Sequence, residues 1–363
     1  MSIFERLKRW LLVWILRFAF SFPNGAYARK AIHCLKKILF NTRSDWIQRH
    51  EPYGYWIAED LQANSKKEAL LDRISEADVI FFWIPGGGFR FNLGELYTPT
   101  FAKWMRALEA DKNIKSMVFV SNYKLGPENI FPAAVDDIAD AYGWLISTYQ
   151  IVPRKIIIGA DDAGVAIALD TLFTSSKISI EQRPSAMICV SPYTGLEAGG
   201  ESWRANLGED LINEKAITYM ELSYLGSQSE DVFDENDDID FSDKNPHQPK
   251  PFGYLPTTVD VGTFLPQHLL FFLGGKEVLL DEGGLLASRA RSAGIQDVVV
   301  FQEPSGIHLW PLFAEYLIED RSVEQNAINT FVDFVNRVVS LSKAQQKTNK
   351  KRFVSEELHK RNQ

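Results

Sequence analysis

Pro85-Gly86-Gly87-Gly88-Phe89 follows directly on the apolar run VIFFWIP at 79–85. Three consecutive glycines let a backbone approach a ligand closely and turn several N–H groups toward one point, which a negative oxygen can occupy. A tight turn uses the same residues, so the segment gains meaning only in company. Two other stretches supply it. In IIIGADDAGVA at 156–166 an apolar, β-rich run breaks at Gly159, and two carboxylates, Asp161 and Asp162, introduce a stretch of small residues. In GIHLWPLF at 306–313 His308, one of only six histidines, stands just beyond the apolar run DVVVFQEP. An anion-binding turn, a carboxylate and an imidazole together can move a proton and stabilise a developing charge.

These groups must be held by a scaffold, and the sequence predicts one. VIFFWIP (79–85), SMVFVSNY (116–123), KIIIGAD (155–161), SAMICVSP (185–192), HLLFFLGG (268–275) and DVVVFQEP (297–304) are strand candidates. Several are almost continuously apolar, as strands covered on both faces are. TPTFAKWMRALEA, AAVDDIADAYGWLISTY and DEGGLLASRARSAG carry helical spacing between them. The alternation predicts an α/β fold, a doubly wound and mostly parallel sheet.

With SNYKLGPENIFPAAVDD at 121–137, these segments resemble the hormone-sensitive-lipase-like group of α/β-hydrolases. That group carries His-Gly-Gly-Gly-Phe, then Asp-Tyr-Arg-Leu-Ala-Pro-Glu leading to Phe-Pro-Ala-Ala, then Gly-Asp-Ser-Ala-Gly-Gly. Here the matching stretches are Pro85 to Phe89, Asn122 to Glu128, Phe131 to Ala134, and Ala160-Asp161-Asp162-Ala163-Gly164-Val165. The match in order and spacing covers roughly residues 75–320 and implies a helical cap over the sheet. It also implies roles. Asp162 takes the place of the nucleophilic serine, His308 is the general base, and Glu277 orients it, with Asp281 as fallback acid. Gly87, Gly88 and Ala163 supply the oxyanion hole. Pro85, Ala160 and Val165 depart from the pattern.

A carboxylate at the sharp turn changes the chemistry. It attacks ordinary esters poorly, because the mixed anhydride formed is less stable than the substrate. It can open a strained epoxide at saturated carbon, leaving an alkyl ester that His308-activated water hydrolyses. This is the logic of epoxide hydrolases, and the leading expectation is a hydrophobic epoxide, a secondary metabolite or lipid. Tyr193, Tyr219 and Tyr224 are candidate proton donors for the leaving oxygen. Two alternatives stand beside it: a catalytically inactive binding module, and an esterase or deacetylase in which His308 activates water directly.

Residues 1–45 are expected to form amphipathic, membrane-interfacial helices and part of the cap. The core spans 46–194 and 259–340, the cap insertion 195–258 and a basic tail 341–363. Trp10, Trp14, Phe18 and Phe22 recur every fourth residue near Lys8, Arg9 and Arg17, which favours a helix lying on a membrane. A helix docked on the domain's own surface and a secretory signal ending near AYA (26–28) are the alternatives. Residues 1–22 thus contact a membrane surface in the favoured reading, within an intracellular, endoplasmic-reticulum-like setting. The net charge of −8 argues against nucleic acid as a partner. Cys34 and Cys189 form no disulfide framework and read as two buried thiols. No cofactor or metal is expected, and the acidic run SEDVFDENDDIDFSD reads as a solvated loop.

Overall fold

The computed structural model describes residues 3–39, 44–59, 61, 67–174, 178–195, 200–226 and 259–361. Two helices come first, α1 (Ile3–Ser21) and α2 (Gly25–Leu39), then β1 (Ile47–His50), β2 (Gly54–Ile57) and α3 (Lys67–Glu76). The alternating part runs β3 (Val79–Ile84), α4 (Thr98–Lys112), β4 (Ser116–Ser121), α5 (Ala133–Tyr149), β5 (Ile156–Asp161), α6 (Ala163–Thr174) and β6 (Ala186–Val190). Helices α7 (Glu201–Asn206) and α8 (Glu214–Leu225) interrupt it. It resumes with β7 (His268–Gly274), α9 (Leu280–Ser292), β8 (Asp297–Glu303), α10 (Ala314–Leu317) and α11 (Arg321–Arg361).

The strands form one sheet in the order β1-β2-β4-β3-β5-β6-β7-β8. From β4 through β8 all neighbours are parallel, while β1 and β2 add an antiparallel edge, with Trp56 opposite Phe119. Every residue of β3, β5 and β6 is buried, which explains their unbroken apolar sequences. The predicted doubly wound sheet is the observed one. The edge pair β1–β2 was not predicted: its two strands are four residues long, and IQRH reads as polar.

The helices end where backbone chemistry requires. α4 and α5 stop at Asn113 and Gln150, whose φ values of 52° and 51° break the helical course. α8 starts at Asn213, whose side chain accepts the Ala216 N–H at 3.0 Å and satisfies an end donor. α11 continues through the predicted basic tail to Arg361. The acidic run and the proline-rich stretch lie outside the described residues.

α1 is apolar on two faces. Leu12, Ile15, Leu16, Ala19 and Phe20 are buried against the domain, each large side chain contributing about 2 kcal/mol of apolar burial. Trp10, Trp14 and Phe18 point outward. The docked helix is therefore real, and its opposite face is left open. Arg17, an oddity in an apolar run, donates to the Asp210 carbonyl at 2.8 Å and the Glu209 carbonyl at 2.5 Å, tying α1 to the chain before α8. No helix among the described residues is long and apolar enough to cross a membrane. The expectation of two buried thiols is half corrected: Cys189 is buried, but Cys34 is exposed on α2.

Candidate active site

Asp162 sits between the end of β5 and the start of α6, with φ of 46°. A non-glycine residue in this left-handed region is strained, and such strain collects where a side chain must be aimed. Three contacts hold the bend: its N–H donates to the Val190 carbonyl, and its carbonyl accepts from Val165 and Tyr193 N–H. The next turn fits only because Gly164 has no side chain. A Cβ there would lie 2.1 Å from the Ile84 carbonyl oxygen, where α6 crosses β3.

The glycine loop lies against this bend. Gly87 has φ of 132°, which points its N–H inward together with that of Gly88. Both donate to one atom, Asp162 Oδ2, at 3.0 and 2.8 Å. Pro85, where the family pattern has histidine, leaves this convergence in place. Its carbonyl accepts the Tyr123 hydroxyl at 2.6 Å, and the two glycine donors still converge. The hydrogen bonds to Oδ2 come from Gly87 and Gly88, without Ala163.

Asp161, one residue earlier, does a different job. Its carboxylate accepts Trp83 Nε1–H at 2.7 Å, the Tyr97 hydroxyl at 2.6 Å and Gly86 N–H at 2.9 Å. It pins the glycine loop to the strand end. Burial pushes its pKa up to about 7, against the pull of Tyr97 and Trp83, with neighbouring Asp162 adding to the rise.

His308 and Glu277 complete the arrangement on loops after β8 and β7. His308 Nε2 is 3.5 Å from Asp162 Oδ1, and Nδ1 is 3.9 Å from Glu277 Oε2. These are ion-pair separations, longer than formed hydrogen bonds. All three side chains are wholly buried. Glu277 is steadied by the Gly274 N–H at 2.9 Å. Asp281, the fallback acid, instead accepts the Ser202 N–H at 2.8 Å, linking α9 to α7.

Electrostatics favour a charged pair at rest. Burial would raise the Asp162 carboxyl, but the His308 imidazole and the Gly88 and Gly87 donors outweigh it and hold it below the ordinary value. Burial would likewise deprotonate His308. The contact with Asp162, reinforced by Asp210 and Glu277, overrides it and pushes the imidazole up to about 9. Glu277 is pushed by burial up to about 7, against the attraction of His308.

Asp210 is a site residue that the sequence did not reveal. Its buried carboxylate accepts the backbone N–H groups of His308 and Val278, both at 2.7 Å. It fastens the histidine loop to the loop carrying Glu277. No motif marks it, because it lies in the cap insertion where the resemblance gives no pattern.

The three tyrosines are not gathered on the carboxylate. The Tyr193 hydroxyl faces Glu221 at 3.4 Å, Tyr224 donates to Asp170 at 2.5 Å, and Tyr219 lies beside the Arg90 guanidinium. The site is roofed instead by apolar groups. The Phe20 ring of α1 stands edge-on to His308 at 5.8 Å, and Met220 of α8 lies directly over Gly88.

An anion-binding glycine loop, a strained strand-to-helix bend and a histidine backed by an acid, all at one end of a parallel sheet, define a class: proteins with an α/β-hydrolase site. The family model described as alpha/beta hydrolase fold matches residues 81–312, and the chain belongs to that family. It is 32% identical over 227 residues to an esterase of Acinetobacter venetianus, covering 61% of this chain and 64% of that one. An acetyl-hydrolase of Streptomyces hygroscopicus is 28% identical over 206 residues, 56% of this chain and 60% of that one. The chain thus spans under two thirds of the length of these relatives. Among solved structures it resembles an esterase from the bacterial hormone-sensitive lipase family, with TM-score 0.65, 26% identity and coverage of 93% and 99%. The hormone-sensitive-lipase-like resemblance holds. The epoxide expectation is not carried by these relatives, which are named for ester cleavage, so its ester-hydrolase alternative is the better supported.

Proposed function

We propose that this protein is a carboxylic-ester hydrolase for hydrophobic esters, in which His308 activates water and no serine takes part. The observation that carries the reading is the convergence of Gly87 and Gly88 N–H on a single oxygen, with the imidazole alongside. That oxygen belongs to Asp162 and stands where the acyl oxygen of an ester would lie. When substrate enters, its carbonyl oxygen displaces the carboxylate from the two donors. Neutral His308 Nε2 takes a proton from water, and the water oxygen bonds to the acyl carbon. The carbonyl electrons move onto the oxygen held by Gly87 and Gly88. The intermediate collapses, the bond to the alcohol breaks, and the imidazolium returns its proton to the departing oxygen. Glu277, 3.9 Å from Nδ1, closes on the ring as it becomes charged and fixes its orientation. Phe20 and Met220 favour apolar substituents, and the names of the relatives agree with ester cleavage.

A second reading keeps Asp162 as nucleophile, and one observation favours it. Oδ2 already occupies the oxyanion hole, while Oδ1 accepts no hydrogen bond among the described residues and faces His308. Attack by Oδ1 on an epoxide carbon would break that carbon's bond to the ring oxygen, which takes the proton of the His308 imidazolium, leaving a hydroxyalkyl ester and no carboxylate charge. His308 would then lose the partner that keeps it protonated and become the base for hydrolysis.

The test compares p-nitrophenyl ester hydrolysis by wild type, His308→Ala and Asp162→Ala over a range of pH. The ester reading expects His308→Ala to lose about 10²- to 10⁴-fold in kcat, with Asp162→Ala retaining or gaining activity. Turnover indifferent to His308→Ala, or none at any pH, overturns it. An aryl epoxide in heavy-oxygen water probes the second reading: unlabelled oxygen in the first-turnover diol supports it, and labelled oxygen rejects it.

A further inference from the structure

The outward face of α1 carries the largest exposed aromatic array among the described residues. Trp10, Trp14 and Phe18 stack at 6.3 and 5.9 Å, and Phe18, Phe22 and Tyr27 continue the row at 4.7 and 5.8 Å. Trp10 is 61% exposed, Trp14 54% and Tyr27 56%, with Leu7 at 58% extending the row. Stacked rings left in water are costly, and helix packing does not require them, since the opposite face already docks α1 on the domain. Charge distribution adds a second sign. Residues 3–39 hold eight Lys or Arg and one Glu, in a chain whose net charge is −8.

A third feature lies at the base of the row. An open cavity of about 550 Å³ is walled by Arg6, Arg9, Trp10, Arg17 and Lys276, with Glu209 and Glu319 the two carboxylates. Arg9 pairs with Glu319 at 2.8 Å and Lys276 with Glu209 at 2.5 Å, so two guanidinium charges remain in excess. Ile307 also lines it, placing the cavity beside the loops that carry His308 and Glu277.

We propose that the outer face of α1 docks on an anionic lipid bilayer, with the basic cavity receiving a phospholipid headgroup. Tryptophan and tyrosine favour the boundary between hydrocarbon and headgroups, and basic residues beside them draw anionic lipid. A second copy of the chain fits the same face less well. Two copies meeting through it would each bring eight Lys or Arg against a single Glu, so the segments repel rather than complement one another. The docking does not depend on the chemistry at His308.

The test is cosedimentation with phosphatidylcholine vesicles, with and without phosphatidylserine, at low and high salt. Wild type is expected to bind the phosphatidylserine vesicles and to be released by salt. Trp10→Ser/Trp14→Ser/Phe18→Ser should weaken binding at least about tenfold. Arg6→Gln/Arg9→Gln should lose about tenfold of the preference for phosphatidylserine. Quenching of wild-type tryptophan fluorescence by brominated lipid gives a readout that needs no variant. Wild type remaining unbound and unquenched overturns the proposal, as does a triple variant that binds undiminished. So does a dimer, seen by light scattering, that the triple variant abolishes while vesicles bind neither form.

Discussion

Asp162 holds two oxygens with different neighbours, and that asymmetry decides what the residue can do. Oδ2 accepts both glycine donors, whereas Oδ1 meets only the imidazole. Asp162→Ser should therefore free the oxyanion hole and supply a hydroxyl for His308. We expect ester turnover at least about 100-fold above wild type, because two positioned donors and a base–nucleophile pair become usable together, and inactivation by a serine-directed phosphonate that leaves wild type untouched. The charge itself is measurable. Asp162→Asn removes the main group holding the proton on His308, so its imidazole titration, followed by NMR, should fall from about 9 toward the ordinary histidine value. In wild type, ester hydrolysis through neutral His308 should climb with pH up to about 9, since the base is liberated only there. A pH–rate profile that is flat from neutral upward would contradict that origin. None of this orientation was legible in the sequence. The motif places a carboxylate at the bend, but which way it turns depends on Gly87 and Gly88, 75 and 74 residues away.

Among the elements, the strands were the most readable. Val79–Ile84 and the opening residues of Ile156–Asp161 are apolar runs because helices cover both faces, and such runs have few alternatives. Ile47–His50 at the sheet edge and its neighbour Gly54–Ile57 escaped notice because strands of four residues are too short to carry a periodic signal, and IQRH is polar as well. The crossing of α6 over β3 makes a prediction of its own. Gly164→Ala would drive a methyl to 2.1 Å from the Ile84 carbonyl, a rigid backbone atom that cannot step aside. It should cost about 2–4 kcal/mol, seen as a lower urea midpoint with an unchanged slope. α1 was legible in its spacing but not in its outcome. A four-residue period of aromatics shows one apolar face, and only the folded chain reveals that the other face is apolar too and roofs His308 with Phe20.

For the whole molecule, the parallel sheet and the order of its site loops followed from the sequence, while the cap did not. Asp210 and Arg17, which lash the cap region to the histidine loop and to α1, belong to stretches without a family pattern. The buried pair also links stability to pH. An imidazole raised from 6.5 to about 9 on folding stabilises the protein fully below pH 6.5, and that contribution fades as pH rises through about 9. Chemical unfolding of wild type and His308→Gln should thus converge between those limits, the wild-type advantage shrinking by roughly 3 kcal/mol. Curves that stay parallel across that interval would show that the imidazole gains no proton affinity on folding. The carboxylate held by Gly87 and Gly88 has a further consequence. A carboxylic acid is what the proposed ester cleavage would leave behind, so Asp162 already fills the two donors as a spent product would. Added carboxylic acids should accordingly inhibit it weakly, and should inhibit Asp162→Ala far more strongly, because only there is the seat vacant.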